Sequence, residues 1–362
     1  MRRVRRGASL TEVLIGSAAI ALAAVLSLPI AGNARTSART QGSADNLRAL
    51  ANANAGFNAD NNDLIASFDW QGAIPEFRNG QRRTPRPYDL GNGLKHLPKN
   101  NHEAAQAKQC FILRYETGRD EHHAKPITLD FNVMPQRRFL YLTMLPYLGG
   151  AFPSEAAASP LDQHLLEWRD DPLNYDALPG GNPATAGRKT WQFEQVLNRW
   201  PYASSYQATV YAWSPDRPAG GMSVLPLAPA GDGTSIAINV PSACTVQRPM
   251  TDVTTPSHKA FLFEEFDYTT GRGTDATHYA NPDATVAVQF FDASVRRVTT
   301  SAANPGWDPR RPSDAGASAS IRYAPIDTRY FPDDTGLATP NPGYYKWTRS
   351  GLRGVDVNPG TP

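Results

Sequence analysis

Hydrophobic positions are spread very unevenly along this chain of 362 residues. From Val13 to Ala34 no charged residue occurs in 22 consecutive positions, and Ala, Leu, Val and Ile dominate the run. A helix rises 1.5 Å per residue, so about 20 apolar residues cross a hydrocarbon core roughly 30 Å thick. The run therefore predicts a membrane-spanning helix. Beyond it the pattern becomes amphipathic: Leu47, Leu50, Ala51, Asn54 and Phe57 recur at spacings of three and four, which places them on one helix face. Ser43 or Asp45 is positioned to cap a local restart. As one element kinked at Pro29, the prediction is a helix from Ala8 to about Asn58, on the order of 75 Å long, half in the membrane and half packed on a body. Asp60-Asn61-Asn62-Asp63 lacks the glycine of a calcium loop and reads as the helix stop.

Later in the chain the period shortens. Lys259 to Phe266, Thr285 to Asp292 and Ser294 to Thr300 read as strands, and Val286, Val288 and Phe290 alternate with smaller or polar residues as in a half-buried strand. Asp292-Ala293 between the last two is a tight hairpin turn. Pro and Gly are dense between Gly149 and Gly187 and after Ala302, which predicts irregular loops. The region from Asn304 to Pro362 nevertheless carries Trp307, Tyr323, Tyr330, Phe331, Tyr344, Tyr345 and Trp347, so it is expected to lie over the body. The fold class expected is α+β: a long N-terminal helix packed on a globular head with an antiparallel sheet and long loops. Residues 1–7 form a basic leader, 8–34 the apolar helix, 35–58 its continuation, and 59–362 the head, loop-rich over 302–362.

Charge adds direction. The formal net charge is +2, but Arg2, Arg3, Arg5 and Arg6 all precede the apolar run. Without them the body is slightly acidic and offers no concentrated basic face, which argues against nucleic acid as a partner. Arginines before the run, with none after it until Arg35, predict a cytoplasmic N-terminus and an exported body on a single membrane pass. Three readings of the segment compete. It is a cleaved secretory signal with a small-residue site around Ala31-Gly32-Asn33-Ala34, where Arg5-Arg6 could serve as a twin-arginine signal; a plain anchor; or a leader cut much earlier. Under the first two the exported part is a binding protein or a hydrolase.

Gly7 closing the basic leader, Glu12 as the fifth residue counted from Ala8, the apolar run behind it, and Pro29 as the twenty-second residue resemble the N-terminus of type IV prepilins and type II secretion pseudopilins. A carboxylate costs about 2.5–3.5 kcal/mol at mid-membrane on insertion scales, so its place here asks for a use. The resemblance implies one: a prepilin peptidase cuts between Gly7 and Ala8, Ala8 is N-methylated, and Glu12 neutralises the α-amine of a neighbouring subunit's first residue inside a fibre. It further implies a bacterial inner membrane as the location, other pilin or pseudopilin subunits and an inner-membrane assembly platform as partners, and a structural role with no enzymatic activity. Ala8 stands where the family usually has Phe, and Thr11 where it usually has an apolar residue, departures that bear on methylation more than on cleavage. Asn46-Leu47-Arg48 with the Asn/Asp-rich stop, Leu145-Pro146-Tyr147-Leu148, and Phe291-Asp292-Ala293-Ser294 with His278 upstream are similar to patches in large-headed bacterial prepilin-like proteins, where Gly usually stands at the Ala293 position.

The remaining candidate chemistry is thin. Cys110 and Cys244 are the only cysteines; in an exported body they form a disulfide or stay as two buried thiols, and both readings stand. His102-Glu103-Ala104-Ala105-Gln106 lacks the second histidine of a zinc-protease helix. Asp120-Glu121-His122-His123 has adjacent side chains that diverge in an extended chain, so no metal is expected there. Gly271-Arg272-Gly273-Thr274-Asp275-Ala276 is followed too soon by Pro282 for a phosphate-binding helix. No cofactor is expected; the resemblance would place a calcium ion, if any, at Asp333-Asp334. No residue is nominated as catalytic.

Overall fold

A computed structural model describes residues 10–67, 141–150, 152–170, 204–213, 247–269, 277–306 and 344–358, with short isolated stretches between them; over 10–31 it describes the backbone alone. The first element is one helix, α1, Leu10–Asp60. Its 51 residues make it about 76 Å long, and it passes through Pro29 without a second element being needed. The predicted stripe is the buried one: Leu47 and Leu50 are fully buried, and Ala51, Asn54 and Phe57 are at most 6% exposed. Among the described residues no helix is long and apolar enough to cross a membrane; that statement leaves out 10–31, which hold most of the uncharged run.

Asp60 ends α1, and the next residues show why. Asn62 and Asp63 take left-handed conformations (φ 55° and 62°), which asparagine and aspartate tolerate better than other side-chain-bearing residues. The Asp63 amide then donates to Asn58 O at 2.9 Å, and Asn61 Nδ2 donates to Phe57 O at 2.8 Å, so two terminal carbonyls are satisfied. The predicted stop is thus a polar C-terminal cap. Beside it, the Leu-Pro-Tyr-Leu stretch forms a 3-10 turn, Leu142–Tyr147, lying on the helix. Gly56 permits this: a Cβ there would stand 2.7 Å from Tyr147 Cδ1. Tyr147 meets Phe57 edge-on at 6.4 Å and donates its hydroxyl to Asp60 Oδ2 at 2.8 Å.

The head is built on four antiparallel strands. They are β1, Tyr206–Ala208; β2, Ala260–Glu264; β5, Thr285–Phe290; and β6, Val295–Thr299. A short pair, β3, Phe266–Asp267, and β4, Thr277–His278, extends the end of β2. The sheet order is β6-β5-β2-β1, with Val286 opposite Val298, Val288 opposite Phe263 and Ala208 opposite Leu262. A helix, α2, Gln163–Asp170, and a three-stranded set (133–135, 235–238 and 227–229) complete the larger elements. The class is therefore α+β.

The half-buried strand expected at Thr285–Phe290 is buried on both faces. On one face Leu262 and Ala287 join Leu47, Leu50 and Phe57 of α1 in the larger core. On the other, Phe263, Val286, Val288 and Phe290 pack with Tyr279, Tyr344 and Tyr345. The alternation in the sequence recorded side-chain size, because the C-terminal aromatics cover the face that alternation alone would leave in water. The expected overlay of that region thus holds for 344–358.

Buried polar contacts fix this cover. Lys259 Nζ lies 2.7 Å from Asp356 Oδ2, both side chains being wholly inaccessible, and also donates to Thr348 Oγ1. The Ala260 amide donates to Asp356 Oδ2 at 2.9 Å, and Thr348 Oγ1 to Asp356 Oδ1 at 2.5 Å. Desolvation pushes Lys259 down and Asp356 up from their ordinary values, while their mutual attraction opposes both shifts. Alongside, Arg248 forks onto Asp216 at 3.1 and 3.2 Å and reaches Asp252 at 2.6 Å; Asp216 also accepts the Leu352 amide at 2.8 Å.

The β5–β6 hairpin turns at Asp292-Ala293 as expected. Ala293 N donates to Phe290 O at 3.0 Å, Phe290 N to Ser294 O at 2.9 Å, and Asp292 Oδ1 accepts from the Ser294 amide at 3.0 Å. Ala293 itself sits at φ 68°, the left-handed residue of a type I turn with a glycine-type bulge. A Cβ there is strained by about 1 kcal/mol. Ala293→Gly should therefore raise stability by roughly 0.5–1 kcal/mol, read as a higher urea midpoint at unchanged slope; an unchanged or lower midpoint would show that the turn is not under strain.

Candidate functional site: the junction of helix and head

Few of the residues nominated from the sequence carry described side chains. Gly7 and Ala8 lie outside the described residues; Glu12 and Pro29 lie within the backbone of α1, with side chains outside the description. Cys110, Cys244, the His102 and Asp120–His123 segments, the 271–276 loop and Asp333-Asp334 also fall outside it. Among the described residues there is no cluster of three or more metal-ligating side chains.

What is described is the place where α1 meets the head. Residues 32–38 are exposed, burial starts at Arg39, and Ser43 is the first residue wholly buried. Ser43 caps no restart, since α1 is continuous through it, and Asp45 instead pairs with Arg48 at 2.5 Å and accepts from Gln41 Nε2 at 3.0 Å. Ser43 Oγ donates to Glu264 Oε1 at 2.5 Å and shares a 2.9 Å hydrogen bond with the Tyr206 hydroxyl. Ser159 Oγ lies 3.1 Å from Ser43 Oγ and 3.3 Å from the same Glu264 oxygen. The second oxygen, Oε2, accepts the Ala287 amide at 2.9 Å. Three elements thus place donors on one carboxyl group, α1, the 154–162 loop and β5, and β1 joins through the Tyr206–Ser43 hydrogen bond.

The network continues inward. Ser205 Oγ donates to Asp162 Oδ2 at 2.8 Å and accepts the Ser159 amide at 3.0 Å, and the Tyr268 hydroxyl also donates to Asp162 Oδ2 at 2.8 Å. Burial holds the Glu264 carboxyl above its ordinary range; the Ser43 hydroxyl, the Ala287 amide and the Arg297 charge only partly offset it, and nearby Asp267 adds to the rise. His278, buried against Phe266 and Tyr279, is pushed down to about 3 by desolvation and the Lys346 charge, so it is a neutral core group. None of this assembles a nucleophile beside a base. The chemistry of the junction is fastening.

On the exposed side of the junction a groove of about 460 Å³ runs between α1 and the outermost strand β6. Its helix wall carries Thr36, Ser37, Thr40 and Gln41; Arg48, Arg296 and Arg297 are its charged residues. Sequence reasoning missed both the groove and Glu264. For Glu264 a signal existed: two adjacent carboxylates, Glu264 and Glu265, inside an otherwise apolar strand are expensive unless a partner is supplied. No protein-family model matches the chain, and no curated protein or solved structure is significantly similar to it.

The junction makes a pH prediction. Glu264 binds its proton more tightly folded than unfolded, so its contribution is fully present below the ordinary carboxylate range and is lost as pH rises through the elevated folded value. The stability of Glu264→Gln relative to wild type should therefore improve as pH increases, and Glu264→Ala, which leaves Ser43 and the Ala287 amide without their acceptor, should cost about 2–4 kcal/mol below the ordinary carboxylate range and progressively less as pH rises. Parallel stability–pH curves for wild type and the Gln variant would refute the assignment.

Proposed function

We propose that this chain is a prepilin-like structural subunit. A prepilin peptidase cuts between Gly7 and Ala8, the head stays outside the bacterial inner membrane on a single-pass helix, and α1 assembles subunits into a type IV pilus-like or type II secretion pseudopilus fibre. The observation that carries this is the continuity of α1. One helix is continuous from Leu10, the first described residue, through the whole uncharged run, and its C-terminal half is buried against an antiparallel sheet. Such an element can exchange lipid for the helices of other subunits without disturbing the head. The rival reading, release of a secreted protein by cleavage near Ala34, would cut within this helix and leave Thr36 and Ser37 on a fraying first turn.

In this role the arginines of the leader hold the precursor until cleavage, and Glu12 is neutralised in the fibre by a neighbour's α-amine at Ala8. The head contributes its surface and no catalysis. Mass spectrometry of the mature protein should find an N-terminus at Ala8, with a methyl group if the family modification extends to this residue. Glu12→Ala should leave membrane insertion intact and abolish incorporation into fibres. An N-terminus at Arg35, or normal incorporation of the variant, would defeat the proposal.

A further inference from the structure

An ion pair between Lys259 and Asp356 would hold the C-terminal cover with two groups, yet a third is built in. Thr348 Oγ1 accepts from Lys259 Nζ and donates to Asp356 Oδ1 at 2.5 Å, so its hydroxyl bridges the amine to one carboxyl oxygen. The other oxygen, Oδ2, takes the Ala260 amide at 2.9 Å and stands 2.7 Å from Nζ. An amine, a carboxyl group, a hydroxyl between them and an amide donor thus meet at one point. Both charged side chains are wholly inaccessible and Thr348 is 3% exposed, so bulk water is kept out.

The backbone holds the two side chains in this arrangement. The Asp356 amide donates to His258 O at 2.9 Å, Asp356 O accepts the Asn304 amide at 2.7 Å, and Lys259 O accepts the Phe291 amide at 3.1 Å. Cγ of Asp356 lies one carbon–oxygen bond, about 1.2 Å, beyond Oδ2, so Nζ is within about 3.9 Å of that carbon, near the roughly 3–3.5 Å of a near-attack arrangement. In water an ammonium and a carboxylate do not condense, because ionisation removes both the nucleophile and the electrophile. Burial works against that obstacle: it pushes the Lys259 amine down and the Asp356 carboxyl up, toward their neutral forms, although their mutual attraction and the charge of Asp216 oppose the shift.

We propose that Lys259 and Asp356 condense to a side-chain amide bond, which ties the residue before β2 covalently to the C-terminal segment. One proton passes from the ammonium through the Thr348 hydroxyl to Oδ1, leaving a neutral amine and a carboxylic acid. Nζ then attacks Cγ, and the negative charge that develops on Oδ2 is held by the Ala260 amide. A second proton follows the same path from Nζ to Oδ1, the bond from Cγ to Oδ1 breaks, and Oδ2 returns to a carbonyl. Nζ thus gives up two protons, Oδ1 leaves as water, and no oxidant or cofactor is needed. The bond joins residues 97 positions apart, so Tyr344 and Tyr345 cannot peel from the sheet face they cover while it is intact. The step involves the head alone and does not depend on how α1 is processed or assembled.

The test is the mass of the full folded chain after prolonged incubation, measured once it has been reduced and denatured, followed by peptide mapping. Wild type should weigh one water less than the sequence between its determined termini requires, and protease digestion should give a branched peptide joining Lys259 to Asp356, uncut after Lys259. Asp356→Ala should have its full mass. Thr348→Val keeps both reacting groups and should form the bond roughly 100-fold more slowly, with Thr348→Ser restoring the rate. Wild type at full mass, or a loss of water that persists in Asp356→Ala, would overturn the bond, and Thr348→Val bonding at the wild-type rate would overturn the proton path. The branched peptide of wild type locates the bond by itself, so the test holds even where the alanine variant fails to fold.

Discussion

The C-terminal half of α1 can be buried only if every polar group that goes in with it finds a partner, and Ser43 and Glu264 meet that condition together. Leu47, Leu50 and Phe57 supply the apolar contact that drives docking, but apolar contact is non-directional and would tolerate a slide or a rotation of the helix. A buried carboxyl tolerates neither. Its two oxygens take donors from α1, the 154–162 loop and the β5 backbone, and each lost donor leaves a desolvated oxygen at a cost of about 1–3 kcal/mol. The hydrophobic stripe therefore decides that the helix docks, and the hydroxyl–carboxyl node decides where.

The opposite face of the sheet is closed by a different device. Lys259 and Asp356 form a fully buried ion pair between the residue preceding β2 and the C-terminal segment. Such a pair gains little net stability, since both charges are stripped of water, but breaking it leaves one charge uncompensated at a cost of several kcal/mol. Its effect is to hold the 344–358 segment in register, so that Tyr345 reaches Phe263 at a centroid distance of 5.4 Å. With α1 on one side and these aromatics on the other, β2 and β5 have no solvated face.

Much of this was legible in the sequence wherever periodicity carried it. The 47–57 stripe, the Asp60–Asp63 stop and the Asp292-Ala293 turn each follow from local rules about helix faces and left-handed residues, and each is where the pattern put it. The burial of β5 on both faces was not legible, because the residues that cover it lie some sixty positions downstream and alternation describes one strand alone. Ser43 shows the same limit from the other direction. A serine before an amphipathic run reads as a cap by local rules, and only a carboxyl 221 residues away turns it into a tertiary anchor. The groove was invisible for a related reason: its walls, α1 and β6, come from distant parts of the sequence.

The junction also bears on how force would pass through such a subunit. Glu12 and Ser43 are 31 residues apart on one helix, about 47 Å along its axis. In the assembly reading, a carboxylate at the near end takes its partner from another chain, while at the far end a carboxyl of the head takes its partner from the helix. Both arrangements make an acid in a poorly solvated setting depend on a donor supplied by a separate element, which is what gives a greasy helix a defined register. A pull along α1 would load the Ser43–Glu264 contact in shear, across several hydrogen bonds held by different elements, and not by peeling one strand edge. Lateral loading of that kind is resisted by all the donors at once, so the head should follow the helix as one body, and the apolar stripe needs only to keep water out of the node.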